Sequence, residues 1–379
     1  LRWSVFLPKV EGLPRNVEKL LRGDSLSLET QKHQLQNTYF METSDYRPLG
    51  RTGVKVSPLC LGCMMFGTKT EAEDSYKIID HAIDNGVNFL DTANVYGRGT
   101  SEEITGEALK RNGKREQIIL ATKVHGKMDN DDVNMMGNSR RHIVQQVEAS
   151  LKRLRTDYID LYQIHRPQSD IPLDETLGAL DQLVRQGKVL YLGTSTYAAW
   201  QLMEALMIAK EFGWSRFICE QPPYNILDRR VERELLPYCR TWGVATIPWS
   251  PLAGGLLTGK YSRENPNPEG ARYANAENNP NLKRRLTEAF WDGIEDLKNY
   301  AEKKGVPMAQ FALAWCKARD GVTAPIIGPR TMEQLTDNLA AAEVEITQED
   351  RDFVDSVVEP GTMISPFYNA DHGPHQYRI

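Results

Sequence analysis

VSPLCLGCMMFG, from Val56 to Gly67, is the stretch on which the fold turns. Its run SPLCLG is short and apolar and ends on a glycine, as expected of a buried strand entering a loop. In a doubly wound dinucleotide-binding sheet, a G-x-G-x-x-G turn would follow this first strand. None does. Seven more short apolar runs come after it: NFLDT (88–92), IILATK (118–123), YIDLYQIH (158–165), VLYLGTS (189–195), FICEQ (217–221), ATIPWS (245–250) and APIIG (324–328). Amphipathic segments separate them. In EDSYKIIDHAIDNG (73–86) one helical stripe takes Tyr76, Ile79, Ala82 and Ile83, and in RRHIVQQVEASLKRL (140–154) another takes Ile143, Val147, Leu151 and Leu154. Eight strands alternating with helices predict an α/β fold, a closed (β/α)8 barrel of the TIM type. Upstream, YRPLGRTGVKVSP (46–58) sets the turn GRTG between two β-prone runs. This predicts an N-terminal hairpin that plugs the bottom of the barrel.

Bulk composition narrows the function. The chain has 379 residues, 40% of them hydrophobic and 26% charged, enough for one large barrel or two ordinary domains. A formal net charge of −5 argues against a general nucleic-acid binder. No apolar run approaches the length of a membrane span, and the first thirty residues lack the apolar core of a secretory signal. Five scattered cysteines suggest reduced thiols in a cytosolic protein. Cys60 and Cys63 form a CxxC, but no second pair or suitably spaced histidines accompany it. We read them as two small packed residues and expect no metal site. Residues 1–40 show no clear period and stop just before Met41. They are read as an extension outside the barrel, with residues 41–379 forming the barrel and its C-terminal tail.

In a barrel of this kind chemistry sits at the C-terminal ends of the strands. Those ends supply Asp91, with Tyr96 five residues on, then Lys123, then His165. Each has a plainer reading: a cap, a loop aromatic, a lysine reaching solvent, a core histidine. Together, on one rim, they form a coherent proton donor. A phenol titrates too high to be an efficient acid at neutral pH. A neighbouring ammonium favours the phenolate, a carboxylate holds that ammonium charged, and an imidazole can bond the oxygen being protonated. Such a donor suits a carbonyl oxygen, and reduction then requires a hydride source.

PLAGGLLTGKY (251–261) comes within one residue of a P-loop: Gly254, Gly259 and Lys260 fit, but Tyr261 stands where Ser or Thr should hold magnesium. The Pro- and Asn-rich sequence behind it cannot open a helix on the lysine.

DTANVYGRGTSEEITGEAL (91–109), YIDLYQIHRP (158–167), LVRQGKVLYLGTS (183–195) and APIIGPRTMEQLTDN (324–338), in that order, resemble the aldo-keto reductase family. The likeness is to the branch that includes potassium-channel β subunits and bacterial and fungal reductases, and it covers about residues 45 to 345. It implies catalytic roles for Asp91, Tyr96, Lys123 and His165, and NADPH as cofactor. It also implies that Trp249 stacks on the nicotinamide, that Ser250, Leu252, Gly254 and Lys260 lie along the phosphates, and that Ser195 and Gln221 hold the carboxamide with Asp91 nearby. Thr196 departs from the asparagine common after that serine. Gly328, Arg330, Gln334 and Asn338 are implied around the adenosine, Arg330 on its 2′-phosphate. Met65, Phe66 and Tyr96 are read as substrate walls, together with the tail MISPFYNADHGPHQYRI. The expected activity is NADP-dependent reduction of a small-molecule aldehyde or ketone, and the partners expected are that substrate and, as a homo-oligomer, further copies of the chain. Two alternatives are a channel-β-like NADP-binding subunit with weak or vestigial activity, and a lyase using Lys123 as a Schiff-base amine.

Overall fold

The computed structural model describes residue 41, residues 43–269 and residues 285–366. The extension over 1–40, and the tail from 367 onward, lie outside the described residues. Ten strands are described: β1 Arg47–Pro48, β2 Lys55–Val56, β3 Cys60–Gly62, β4 Phe89–Asp91, β5 Ile119–Val124, β6 Ile159–Ile164, β7 Val189–Ser195, β8 Phe217–Gln221, β9 Ala245–Thr246 and β10 Ile326–Ile327. All eight apolar runs of the sequence became strands. β3 to β10 form one parallel sheet in the order β10-β3-β4-β5-β6-β7-β8-β9. Beyond the short β9 the ring closes through single bonds, from Ile326 N to Pro248 O at 2.8 Å and from Thr323 N to Thr246 O at 2.7 Å. Closure leaves no open edge and brings every strand end to one of two rims.

β1 and β2 pair antiparallel, Arg47 with Val56 and Pro48 with Lys55. Leu49 and Val56 of this hairpin are fully buried in one cluster with Phe89, Leu161 and Ala245, near the starts of the barrel strands. The plug predicted from GRTG is therefore present. Gly50 makes it fit. Its φ is +58, and an added Cβ would meet Ile218 O at 2.6 Å and Gly243 O at 2.8 Å, so only glycine allows this approach.

Helices α1 Ala72–Asp84, α2 Thr100–Asn112, α3 Arg140–Leu154, α4 Leu173–Arg185, α5 Ala199–Phe212 and α6 Leu235–Trp242 each follow a barrel strand. α7 Glu288–Lys304 and α8 Met308–Lys317 lie between β9 and β10, and α9 Met332–Ala340 and α10 Gln348–Val357 follow β10. On α3 the expected stripe of Ile143, Val147, Leu151 and Leu154 is buried, each aliphatic side chain contributing about 1.5–3 kcal/mol. Ser139 caps this helix by accepting from His142 N. On α1 the expected stripe is displaced. Ser75, Ile78, Ile79 and Ala82 are buried, whereas Tyr76 lies at the flank beneath the Arg111 guanidinium, 4.4 Å from its ring centre. The Ser75 hydroxyl donates to Glu71 O at 2.8 Å, and this internal bond lets a polar residue occupy the buried face.

All five cysteines are buried and unpaired. Burial pushes the Cys63 thiol up to about 12, so the CxxC is a pair of packed thiols. No group of metal-ligating side chains occurs among the described residues. No described helix is long and apolar enough to cross a membrane.

Candidate active site

β4 ends on Asp91 and β5 carries Lys123 one residue before its end. Both are buried, Lys123 completely. An isolated charge there would cost several kcal/mol, and the structure pairs it. Lys123 Nζ donates to Asp91 Oδ2 at 2.5 Å and to Thr92 O at 2.9 Å. The other Asp91 oxygen accepts from Gln163 Nε2 of β6 and Gln221 Nε2 of β8, each at 2.9 Å. Burial lowers the pKa of the Lys123 ammonium, but Asp91 and Tyr96 oppose it more strongly, so the pKa ends above its ordinary value and the group stays charged. A charged amine is a poor Schiff-base nucleophile, which weakens the lyase alternative.

Tyr96 opens a short turn, Tyr96–Gly99, behind β4, with left-handed backbone at Gly97 and Arg98. Its hydroxyl lies 3.5 Å from Lys123 Nζ. His165 directly follows β6 and its N–H donates to Val124 O at 2.9 Å. The two rings meet edge to face, with centres 5.6 Å apart. Burial holds the His165 imidazole well below its ordinary pKa, and Lys123, Arg166 and His125 act in the same direction. At neutral pH it is uncharged, with one N–H to donate. The four residues picked from strand ends therefore meet around a single point.

That point is the floor of a cleft of about 830 Å³, whose lining includes Asp91, Tyr96 and His165 together with Met65, Ser195, Gln221, Trp249, Ser250, Leu252, Gly254, Lys260, Gly328, Arg330, Gln334 and Asn338. Phe66 does not line it. This residue, expected on the substrate wall, is fully buried. The backbone turns back there, Phe66 N donating to Cys63 O at 3.0 Å, and the ring is buried in the core.

The P-loop lookalike forms one wall. Its core, Ala253–Thr258, is a kinked 3-10 segment, and Ser250, Ala253, Gly254, Gly255 and Gly259 all have positive φ. Ala253, Leu256, Leu257 and Tyr261 anchor it in a cluster with Phe290 and Phe311. No helix opens on Lys260; among the described residues the next one is α7. Across the cleft, Thr331 caps α9 by accepting from Gln334 N. Arg330 N donates to Gln334 Oε1 at 2.9 Å, so the Gln334 side chain, expected to face a ligand, also braces its own helix start.

Sequence reasoning passed over Gln163, Arg166, Glu220 and Asp337. Gln163 and Glu220 are polar residues inside apolar strands, a readable signal of inward-facing polar groups. Glu220 is fully buried. It accepts from Thr194 Oγ1 at 2.5 Å and from Tyr197 N at 3.1 Å, and burial pushes its carboxyl up to about 8.

With this geometry in place the comparisons with known proteins are direct. The aldo/keto reductase family pattern matches residues 58–359. The chain belongs to the aldo/keto reductase family. It is 41% identical over 313 residues to an uncharacterized oxidoreductase, YrpG, of Bacillus subtilis (strain 168), covering 80% of this chain and 93% of that one. It is 38% identical over 322 residues to a probable voltage-gated potassium channel subunit beta of Oryza sativa subsp. japonica, covering 83% and 96%. It is 36% identical over 344 residues to the versiconal hemiacetal acetate reductase of Aspergillus parasiticus, covering 83% and 97%. The family is one of oxidoreductases that generally use a nicotinamide cofactor.

Proposed function

We propose that this chain reduces aldehydes or ketones to alcohols, with NADPH as reductant and Tyr96 as proton donor. The observation that carries the reading is the buried Asp91–Lys123 pair meeting Tyr96 and His165 at the floor of the cleft. A carbonyl oxygen seated between the Tyr96 hydroxyl and the neutral His165 ring takes its proton from the phenol. The Lys123 ammonium stabilises the phenolate left behind, and Asp91 keeps that ammonium fixed. The nicotinamide would supply the hydride for the carbonyl carbon.

The residues present fit such a cofactor. Both Gln221 Nε2 bonds go to Asp91 and Gln163, and Ser195 Oγ donates to Gln221 O at 2.9 Å. What remains at these two side chains is acceptor capacity, suited to a carboxamide N–H. At Gly255, φ +107, an added Cβ would meet nothing within 4 Å, so the loop presents bare backbone on which an anion can rest. Lys260 and Arg330 both line the cleft and bring positive charge to it.

NADPH and NADH differ by one phosphate, so the cofactor choice tests the reading. A charge-assisted hydrogen bond is worth about 1.5–3 kcal/mol, or roughly ten- to a hundredfold in affinity. Arg330→Ala is expected to weaken NADPH by that factor and leave NADH nearly unchanged, when both are titrated and then turned over with a simple aldehyde. Equal weakening of both would remove the NADP assignment. No NADPH consumption with any aldehyde or ketone would instead favour the second reading, a binding subunit of the kind named in the rice relative.

A further inference from the structure

Arg166 follows His165 at the end of β6 and lines the same cleft. Its guanidinium is a cation, yet among the described residues no carboxylate lies within salt-bridge distance of it. One nitrogen, Nη1, makes all of its hydrogen bonds: to His165 O at 2.6 Å, to Thr196 Oγ1 at 3.1 Å and to Ser195 Oγ at 3.4 Å. All three acceptors are neutral. The guanidinium carbon also lies 5.8 Å from the Trp249 ring centre, a further neutral contact. The remaining N–H groups of the fork make no bond among the described residues.

The nearby acids do not balance this charge. Asp91 is taken up by Lys123, Gln163 and Gln221. Glu220 feels Arg166, but its two oxygens are taken up by Thr194 Oγ1 and Tyr197 N, and burial pushes its carboxyl up toward the neutral form. The arginine is also held in place rather than loose. Thr196, one of its acceptors, sits at φ +65, in a turn whose next residue is tied down by Glu220 through Tyr197 N. A fixed, uncompensated guanidinium beside the carbonyl-protonating pair is a recognition element for a planar anion, which accepts two parallel bonds from such a fork.

Resting on the carbonyl-reductase reading, we infer that Arg166 selects substrates bearing a carboxylate close to the reducible carbonyl. The substrate class is then an aldehyde or ketone acid, seated with its carboxylate on Arg166 and its carbonyl oxygen between Tyr96 and His165.

The test is a ratio. The full chain is assayed with NADPH on 3- and 4-carboxybenzaldehyde and on the matching neutral amides, as the parent, as Arg166→Met and as Arg166→Lys. The parent is expected to favour at least one acid over its amide by about tenfold or more in kcat/KM, and to lose part of that preference as salt is raised. In Arg166→Met the acid-to-amide ratio should fall to near one, mainly through KM for the acid, while Arg166→Lys keeps a partial preference. Any damage to folding or cofactor binding lowers both substrates together and cancels in the ratio. A parent that treats both acids like their amides overturns the proposal. So does a shared loss in Arg166→Met with the ratio intact, which would show that the arginine serves only the cofactor or the turn. Turnover of neither class by the parent would sink the reductase reading itself.

Discussion

His142 shows how a single buried residue sets a property of the whole chain. It lies in the first turn of α3 and is fully buried. Burial pushes its imidazole from the ordinary 6.5 down to about 4, His125 adds to this, and the Gly126 backbone and Asp132 oppose it. Between those two values the unfolded chain binds a proton that the folded chain refuses. Stability is therefore fully present above about 6.5 and is lost as pH falls toward 4. One proton corresponds to a slope of up to about 1.4 kcal/mol per pH unit. Urea titrations across that range should show a shallower acid loss in His142→Leu than in the parent; identical slopes would mean that other groups govern acid unfolding. Residues of this kind were illegible in the sequence. His142 lies off the apolar stripe of Ile143, Val147, Leu151 and Leu154, and periodicity says which face is apolar and nothing about a polar side chain folded beneath it. Asp91, Lys123 and His165 were legible for the opposite reason. Each ends an apolar run, where a titratable group needs a partner.

At the scale of elements, the loop Pro251–Tyr261 carries the clearest lesson. Its glycine and lysine spacing resembles a P-loop, and what separates the two is context: among the described residues no helix opens on Lys260, and apolar anchors hold the segment against α7 and α8. Lys260 sits at the exposed end of this loop and lines the cleft. If it faces the pyrophosphate, which both cofactors share, Lys260→Met should weaken NADPH and NADH alike by roughly ten- to a hundredfold. This is the opposite pattern to Arg330→Ala, and fluorescence titration of both cofactors distinguishes them. A change confined to NADPH would move Lys260 to the 2′-phosphate, and no change in either would detach the loop from the cofactor. The short strands β9 and β10 mark the limit of sequence reading at this scale. Their apolar runs were visible, but only two residues of each enter the ladder. The single bonds that close the ring could not be read from composition.

For the whole molecule, the barrel makes one site out of residues 74 positions apart in the chain, as Asp91 and His165 are. Alternation of eight apolar runs with helical patterns was enough to predict this, because parallel strands joined by helices must roll up or stay open, and the missing glycine turn after β3 excluded the open nucleotide-binding form. The resemblance supplied the expected cofactor, which spacing alone could not. What the barrel delivers is Tyr96 beside a buried, paired ammonium, and the account depends on that phenol being the acid. Tyr96→Phe keeps the ring and its edge contact with His165 while removing the proton. General acid catalysis is worth about 10²–10⁴-fold, so the measurement is kcat for NADPH-dependent reduction of an aldehyde by parent and variant, with NADPH affinity measured alongside. The account expects kcat to fall by that factor with cofactor affinity little changed. A variant that keeps most of the parent's kcat would contradict it.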